Sequence, residues 1–132
     1  MSSNGSTTED DVRVLFVEDD PAVAHMYKLK LELDGYAVDV AGDGVQAVEM
    51  AMGNPPDIIF LDIRLPKMDG LGVLEALRKD ERTRTVPVVI LSNYSERELV
   101  DRGLRLGALE YLVKSQTTPA RVADGVPSWL GN

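Results

Sequence analysis

Four groups of polar residues stand directly behind apolar runs in this chain. Glu18-Asp19-Asp20 follows Val12–Val17, Asp62 follows Asp57–Leu61, Ser92-Asn93 follows Val86–Leu91, and Lys114 follows Glu110–Val113. An acid set straight after a buried strand is costly unless something pairs with it. If the runs are neighbouring strands, three or four carboxylates, a hydroxyl and an ammonium meet at one sheet edge. Carboxylates packed so closely raise one another's pKa unless a cation joins them. Oxygen ligands with no histidine or cysteine nearby suit a hard ion of the magnesium type. A lysine there offers a point charge to an anion docking on the metal, and a hydroxyl offers a further hydrogen bond. Phosphate chemistry fits this set best. Singly, each residue has a plainer reading: Asp20 a helix N-cap with no chemical role, Ser92 a strand-end hydrogen bonder, Lys114 a solvated strand end. Their joint placement has none.

Those residues meet only if the elements between them lay the runs side by side. Val12–Val17 reads as a strand buried on both faces. Asp20-Pro21 caps and opens a helix that Gly35 stops, with Ala22, Met26, Leu29 and Leu33 lining its apolar face. Its segment Lys28–Leu33 alternates like a strand, but the caps bracket it as helix. Tyr36–Ala41 is a second strand. Val45, Val48 and Met52 mark a second helix, closed by Gly53 and Asn54-Pro55-Pro56. Asp57–Leu61, the most apolar run, is expected at the sheet centre. A helix carrying Val73, Leu74 and Leu77 comes next, then the strand Val86–Leu91. Ser95 and Glu98 form a capping box opening a fourth helix, which Gly107 ends. After the strand Glu110–Val113, a last helix starts at Thr118-Pro119, with Pro127 expected to kink or shorten it. His25 reads as a surface residue, Trp129 as a cap on the core, and Arg78, Lys79, Arg82 and Arg84 as a solvated basic face. Five strand–helix units imply a parallel sheet covered by helices on both faces, with its site at the carboxyl ends of the strands.

Composition sets the outer limits. The chain has 132 residues, the size of one compact domain, and no cysteine, which excludes disulfides and thiolate metal sites. Residues 1–11 hold nothing to bury and read as a disordered leader, so the domain spans 12–132. That leader has no apolar signal sequence, and no segment approaches the ~20 apolar residues of a membrane span. A net charge of −8 argues against a nucleic-acid surface.

At this point a resemblance emerges. The motifs Val-Glu-Asp-Asp (17–20), Phe-Leu-Asp-Ile-Arg-Leu-Pro-Lys-Met-Asp-Gly (60–70), Val-Val-Ile-Leu-Ser (88–92) and Gly-Ala-Leu-Glu-Tyr-Leu-Val-Lys (107–114) resemble the receiver domains of two-component response regulators. The likeness runs from Val12 to about Leu130. It implies a flavodoxin-like (βα)5 fold, a doubly wound parallel sheet of order 2-1-3-4-5. It implies that Asp62 accepts a phosphoryl group from a histidine kinase or a phosphotransfer protein. Asp19 would bind Mg²⁺ directly, Glu18 would hold a metal-bound water, and the backbone carbonyl of Arg64 would complete the metal shell. Ser92 and Lys114 would contact the phosphoryl oxygens, and Tyr111 would be the aromatic switch. The implied output surface is helix four, strand five and helix five, facing an output protein or a second copy. The implied location is the cytoplasm, and self-phosphorylation or self-dephosphorylation would be weak at most.

Three residues depart from the pattern: Ser92 where threonine is also common, Asn93 where alanine or glycine is frequent, and Ser115 in place of a proline. A cis Lys114–Ser115 bond would cost about 2.5–4 kcal/mol, so trans is expected. A phosphatase of the haloacid-dehalogenase type also uses an aspartyl nucleophile, but it needs a second aspartate where Arg64 stands. Dinucleotide binding lacks its G-x-G-x-x-G after strand one. A receiver-like scaffold that no longer takes phosphate would have no reason to keep all five site residues. The residues are compatible with a stand-alone receiver or a piece of a longer regulator.

Overall fold

The computed structural model describes residues 11–131, in which five strands alternate with five α-helices. In chain order these are β1 (Arg13–Val17), α1 (Pro21–Leu33), β2 (Ala37–Ala41), α2 (Gly44–Gly53), β3 (Ile58–Leu61), α3 (Gly70–Lys79), β4 (Val88–Ser92), α4 (Arg97–Arg105), β5 (Glu110–Val113) and α5 (Pro119–Trp129). A 3₁₀ turn over Lys114–Gln116 joins β5 to α5. Of the leader expected over residues 1–11, all but Asp11 lies outside the described residues.

The sheet is wholly parallel, in the order β2-β1-β3-β4-β5, so the fold is the doubly wound, flavodoxin-like one. All four residues of the central β3 are buried. Alternation along each strand divides the core in two. Val14, Phe16, Ile58, Phe60, Val89 and Leu91 face α1 and α5, where Tyr27, Leu31, Val122 and Val126 pack on them. Leu15, Val17, Ile59, Leu61, Val88 and Ile90 face the other way, toward Ala47, Ala51, Leu74 and Leu77 of α2 and α3. The first face is rich in aromatic rings: Phe16 stacks on Tyr27 at 5.0 Å, and Phe60 meets the edge of Trp129 at 5.7 Å. Trp129 also donates from Nε1 to Glu110 at 2.8 Å, so it covers the core as expected.

Several expectations need correction. The apolar line Ala22, Met26, Leu29, Leu33 is not the buried face of α1: Met26, Leu29 and Leu33 are 48%, 51% and 74% exposed. Ala24, Tyr27 and Leu31 are buried instead, also at helical spacing. In α2 the buried residues are Gly44, Ala47 and Ala51, with Val48 and Met52 half-buried and Val45 exposed. The capping box does not form, because α4 starts after Glu96 and no side chain among the described residues caps it. Helix α5 continues past Pro127 to Trp129. Arg78 is no solvated residue either. Its guanidinium donates to the carbonyls of Thr83, Arg84, Val86 and Gly107 at 2.9–3.3 Å. The Asp20 cap on α1 and the trans Lys114–Ser115 bond are as expected.

Candidate functional site

The same alternation decides which polar groups meet. Glu18 and Asp62 lie two residues beyond Phe16 and Phe60, and Lys114 two beyond Leu112, so all three continue the face of α1 and α5. Ser92 lies two beyond Ile90 and continues the opposite face, where Tyr111 also packs. The site therefore straddles the edge of the sheet, with its acids and lysine on one side and its hydroxyl on the other.

One carboxylate oxygen from each of Glu18, Asp19 and Asp62 lies within 4.8 Å of the others. Lys114 bridges two of these acids, donating to Glu18 and, at 3.0 Å, to Asp62 Oδ2. Backbone amides hold the remaining oxygens: Asp20 donates to Glu18 Oε2 at 3.1 Å and Ile63 to Asp62 Oδ1 at 2.7 Å. Glu18 and Asp62 are buried, whereas Asp19 opens to solvent. Burial pushes the Glu18 carboxyl up, against the pull of Lys114 and the Asp20 amide. Burial also works against the Lys114 charge, but the two carboxylates outweigh it and raise the lysine. Three carboxylates against one ammonium leave a deficit of positive charge, in a set of purely oxygen donors. That set fits a magnesium-type ion.

Arg64 lines the same open cleft of about 600 Å³, and its guanidinium lies 4.5 Å above the ring of Tyr94. Asn93 and Ser115 line it as well. Ser92 is fully buried, and its Oγ accepts from the amide of Tyr94 at 3.1 Å. The hydroxyl of Tyr111 donates to the carbonyl of the same Tyr94 at 2.6 Å. One peptide segment thus connects the buried serine to the strand-five tyrosine. The turn into α3 is tight: a Cβ on Gly70 would lie 2.0 Å from the carbonyl oxygen of Asp62. Only glycine allows that approach, and Asp69 caps the helix beside it.

Of the residues singled out from sequence, Glu18, Asp19, Asp62, Arg64 and Lys114 line one cleft, whereas Ser92 and Tyr111 lie outside its lining and are joined to it through Tyr94. Asp20 lines the cleft while its carboxylate caps α1. What sequence reading missed is Tyr27, which lines the cleft from α1. The signal that could have found it is the spacing of Ala24, Tyr27 and Leu31.

Fold and site together describe a doubly wound domain with an acid–lysine cleft at the carboxyl edge of its sheet. Residues 14–123 match the family described as response regulator receiver domain, and the chain belongs to that family, a signalling domain of two-component systems. It is 40% identical over 102 residues to the DNA-binding dual master transcriptional regulator RpaA of Synechocystis, covering 77% of this chain and 42% of that protein. It is 36% identical over 129 residues to the transcriptional regulatory protein PdtaR of Mycobacterium tuberculosis, covering 94% of this chain and 60% of that protein. The chain thus spans about half the length of these curated relatives.

Solved structures agree. The receiver domain of Francisella response regulator 1452 superposes with a TM-score of 0.83 at 32% identity, over 91% of this chain and 97% of that one. The receiver domain of the Pseudomonas aeruginosa sensor histidine kinase PA1611, solved with a magnesium ion in its active-site cleft, gives 0.84 at 30% identity, over 92% and 99%. Among the described residues, no helix is long and apolar enough to cross a membrane.

Proposed function

We propose that the protein is a phosphoacceptor: a histidine kinase or phosphotransfer protein passes a phosphoryl group to Asp62, and the acyl phosphate switches an output surface. The observation that carries this reading is the Lys114 ammonium shared by Glu18 and Asp62, with Asp19 in the same cluster. In the transfer, an Asp62 carboxylate oxygen bonds to phosphorus while the bond from phosphorus to the donor imidazole nitrogen breaks, its electron pair leaving with the imidazole. A carboxylate is a poor nucleophile toward a charged phosphoryl group, so charge neutralisation and alignment carry the catalysis. Glu18, Asp19 and Asp62, with the backbone carbonyl of Arg64, would hold Mg²⁺. When bound, Mg²⁺ supplies positive charge against the carboxylates and the incoming phosphoryl oxygens. Lys114 moves from its carboxylate partners toward a phosphoryl oxygen, and Ser92 donates to another.

Drawing Ser92 toward the phosphoryl group releases the Tyr94 amide, and Tyr94 also holds Tyr111. The face of α4, β5 and α5 then changes, for an output protein or a second copy of the chain. The net charge of −8 supports a protein partner over nucleic acid. Self-phosphorylation and self-dephosphorylation are weak at most, and the protein works in the cytoplasm.

Incubation with acetyl phosphate and Mg²⁺ should give one adduct, mapped to Asp62 by mass spectrometry. Label that persists in Asp62→Asn, or is indifferent to EDTA, overturns the assignment. With beryllofluoride, NMR shifts should spread through residues 93–112. Changes confined to α1 and α2 would refute the output face.

A further inference from the structure

Helix α4 is fastened at one end and loose at the other. At its C-terminal end Gly107 takes a φ of 105°, and the amides of Gly107 and Ala108 close the last turn on the carbonyls of Leu104 and Gly103, each at 3.1 Å. Leu109 then donates to the Val88 carbonyl at 2.8 Å and joins the chain to β4. Arg78, in the last turn of α3, binds the same spot. Its Nη2 donates to the Gly107 carbonyl at 2.9 Å, while its Nη1 donates to the carbonyls of Val86, Arg84 and Thr83 at 2.9, 3.1 and 3.3 Å. One planar guanidinium thus ties the exit of α4 to the end of α3 and to the segment leading into β4. The fit is close: a Cβ on Gly107 would lie 2.8 Å from Arg78 Nε.

The N-terminal end has no such tie. Glu96 makes no side-chain cap bond there, and Ser95, Glu96, Arg97 and Glu98 are all exposed. Two residues upstream of Glu96, the Tyr94 amide donates to Ser92 Oγ and the Tyr94 carbonyl accepts from Tyr111. A pull on Ser92 therefore reaches α4 at its loose end. A rigid helix loaded at its free end rotates about the fastened one and does not slide bodily. Resting on the phosphoacceptor reading above, we propose that Arg78 is a positioning residue of the switch: it makes the C-terminal end of α4 a fulcrum, so that loading Asp62 swings the N-terminal end. Along the helix axis Arg97 lies about 15 Å from Gly107 and Arg105 about 3 Å, so the first moves about five times as far as the second. A partner that reads the loaded state then has to touch the first turn of α4 and not its last.

The test uses the full chain with Mg²⁺ and beryllofluoride. The chain has no cysteine, so cysteines introduced for spin labels are the only ones it carries. Arg97→Cys or Arg105→Cys is paired with a fixed point on either face of the sheet, Glu32→Cys of α1 or Glu49→Cys of α2, and the distances are read by pulsed electron resonance. All four positions are exposed. Beryllofluoride should displace the label at 97 about five times as far as the label at 105. In Arg78→Met, which keeps the stem and loses the donors, that ratio should fall toward one and amide exchange at Gly107 and Ala108 should quicken. Arg78→Lys keeps the charge without the fork and should behave in the same way. Equal displacement of the two labels, a larger one at 105, or none while beryllofluoride is bound overturns the proposal, as does an unchanged ratio in a folded Arg78→Met. Should that variant fold poorly, the ratio with Arg78 in place decides the matter. Failure to bind beryllofluoride at all, or equal binding by Asp62→Asn, would instead bring down the phosphoacceptor reading and this inference with it.

Discussion

Helices α3 and α4 lie on the same face of the sheet and are fastened to it very differently. Helix α3 buries Gly70, Leu71, Val73, Leu74 and Leu77, is capped by Asp69, and ends in the Arg78 guanidinium bonded to four carbonyls. In α4 only Gly103 is buried, Leu104 is 44% exposed, and no side chain among the described residues caps its start. The other four helices all have a side-chain cap, from Asp20, Asp43, Asp69 and Thr118. On the function proposed above, helix α4 is the one whose position a change at the site would shift. Elements that move in a switch come from the low end of local stability.

The contrast can be attacked at its strong end first. Leu74→Ala removes a fully buried side chain of α3 and should lower unfolding stability by about 2–5 kcal/mol in a urea titration. Gly103→Ala attacks the seat of α4: its new Cβ would lie 2.5 Å from Ile90 Cδ1 and 3.5 Å from the Tyr111 ring. A loss of about 1–3 kcal/mol is expected, with NMR shifts at Tyr111 and along α4 but not along α3. Glu96→Ser sharpens the comparison in the other direction by giving α4 the cap it lacks. A gain of about 1 kcal/mol should appear as slower amide exchange in α4 alone.

The smallest effect lies just beyond α3. Hydrogen bonds from the Arg82 side chain and amide hold the exposed Asp80 carboxyl down to about 2, from an ordinary 3.8. A depressed acid stabilises the fold above its unfolded pKa and stops doing so as pH falls through its folded one. Any advantage of wild type over Asp80→Asn in urea midpoint should thus shrink between pH 3.8 and about pH 2.

Much of this was legible in the sequence, for reasons that also explain the failures. β-branched runs ending in acids, a hydroxyl and a lysine give both a parallel sheet and the edge where its chemistry gathers. Glu18, Asp19, Asp62, Ser92 and Lys114 stand at strand ends, where position along the chain translates directly into position in space. Helix faces translate less well. In α1, Met26, Leu29 and Leu33 outweigh Ala24, Tyr27 and Leu31 in apolar character, so periodicity chose the exposed line and hid Tyr27. Ser95 and Glu98 have the spacing of a capping box, but Tyr94 is tied through its amide to Ser92 and through its carbonyl to Tyr111. The loop therefore runs on to Glu96 before the helix begins. Arg78 looked solvated because one of its carbonyl acceptors, Gly107, lies 29 residues away. Such long-range partners leave no local pattern.

The packing of Trp129 has a practical consequence. It is the single tryptophan of the chain, and it packs against both β3 and β5. Its ring meets Phe60, two residues before Asp62, and its indole nitrogen holds Glu110, the neighbour of Tyr111. On the function proposed above, the emission of this one native fluorophore should change in stopped flow as Asp62 is loaded and again if β5 responds. The protein carries its own optical clock, with no dye attached to the surfaces under study.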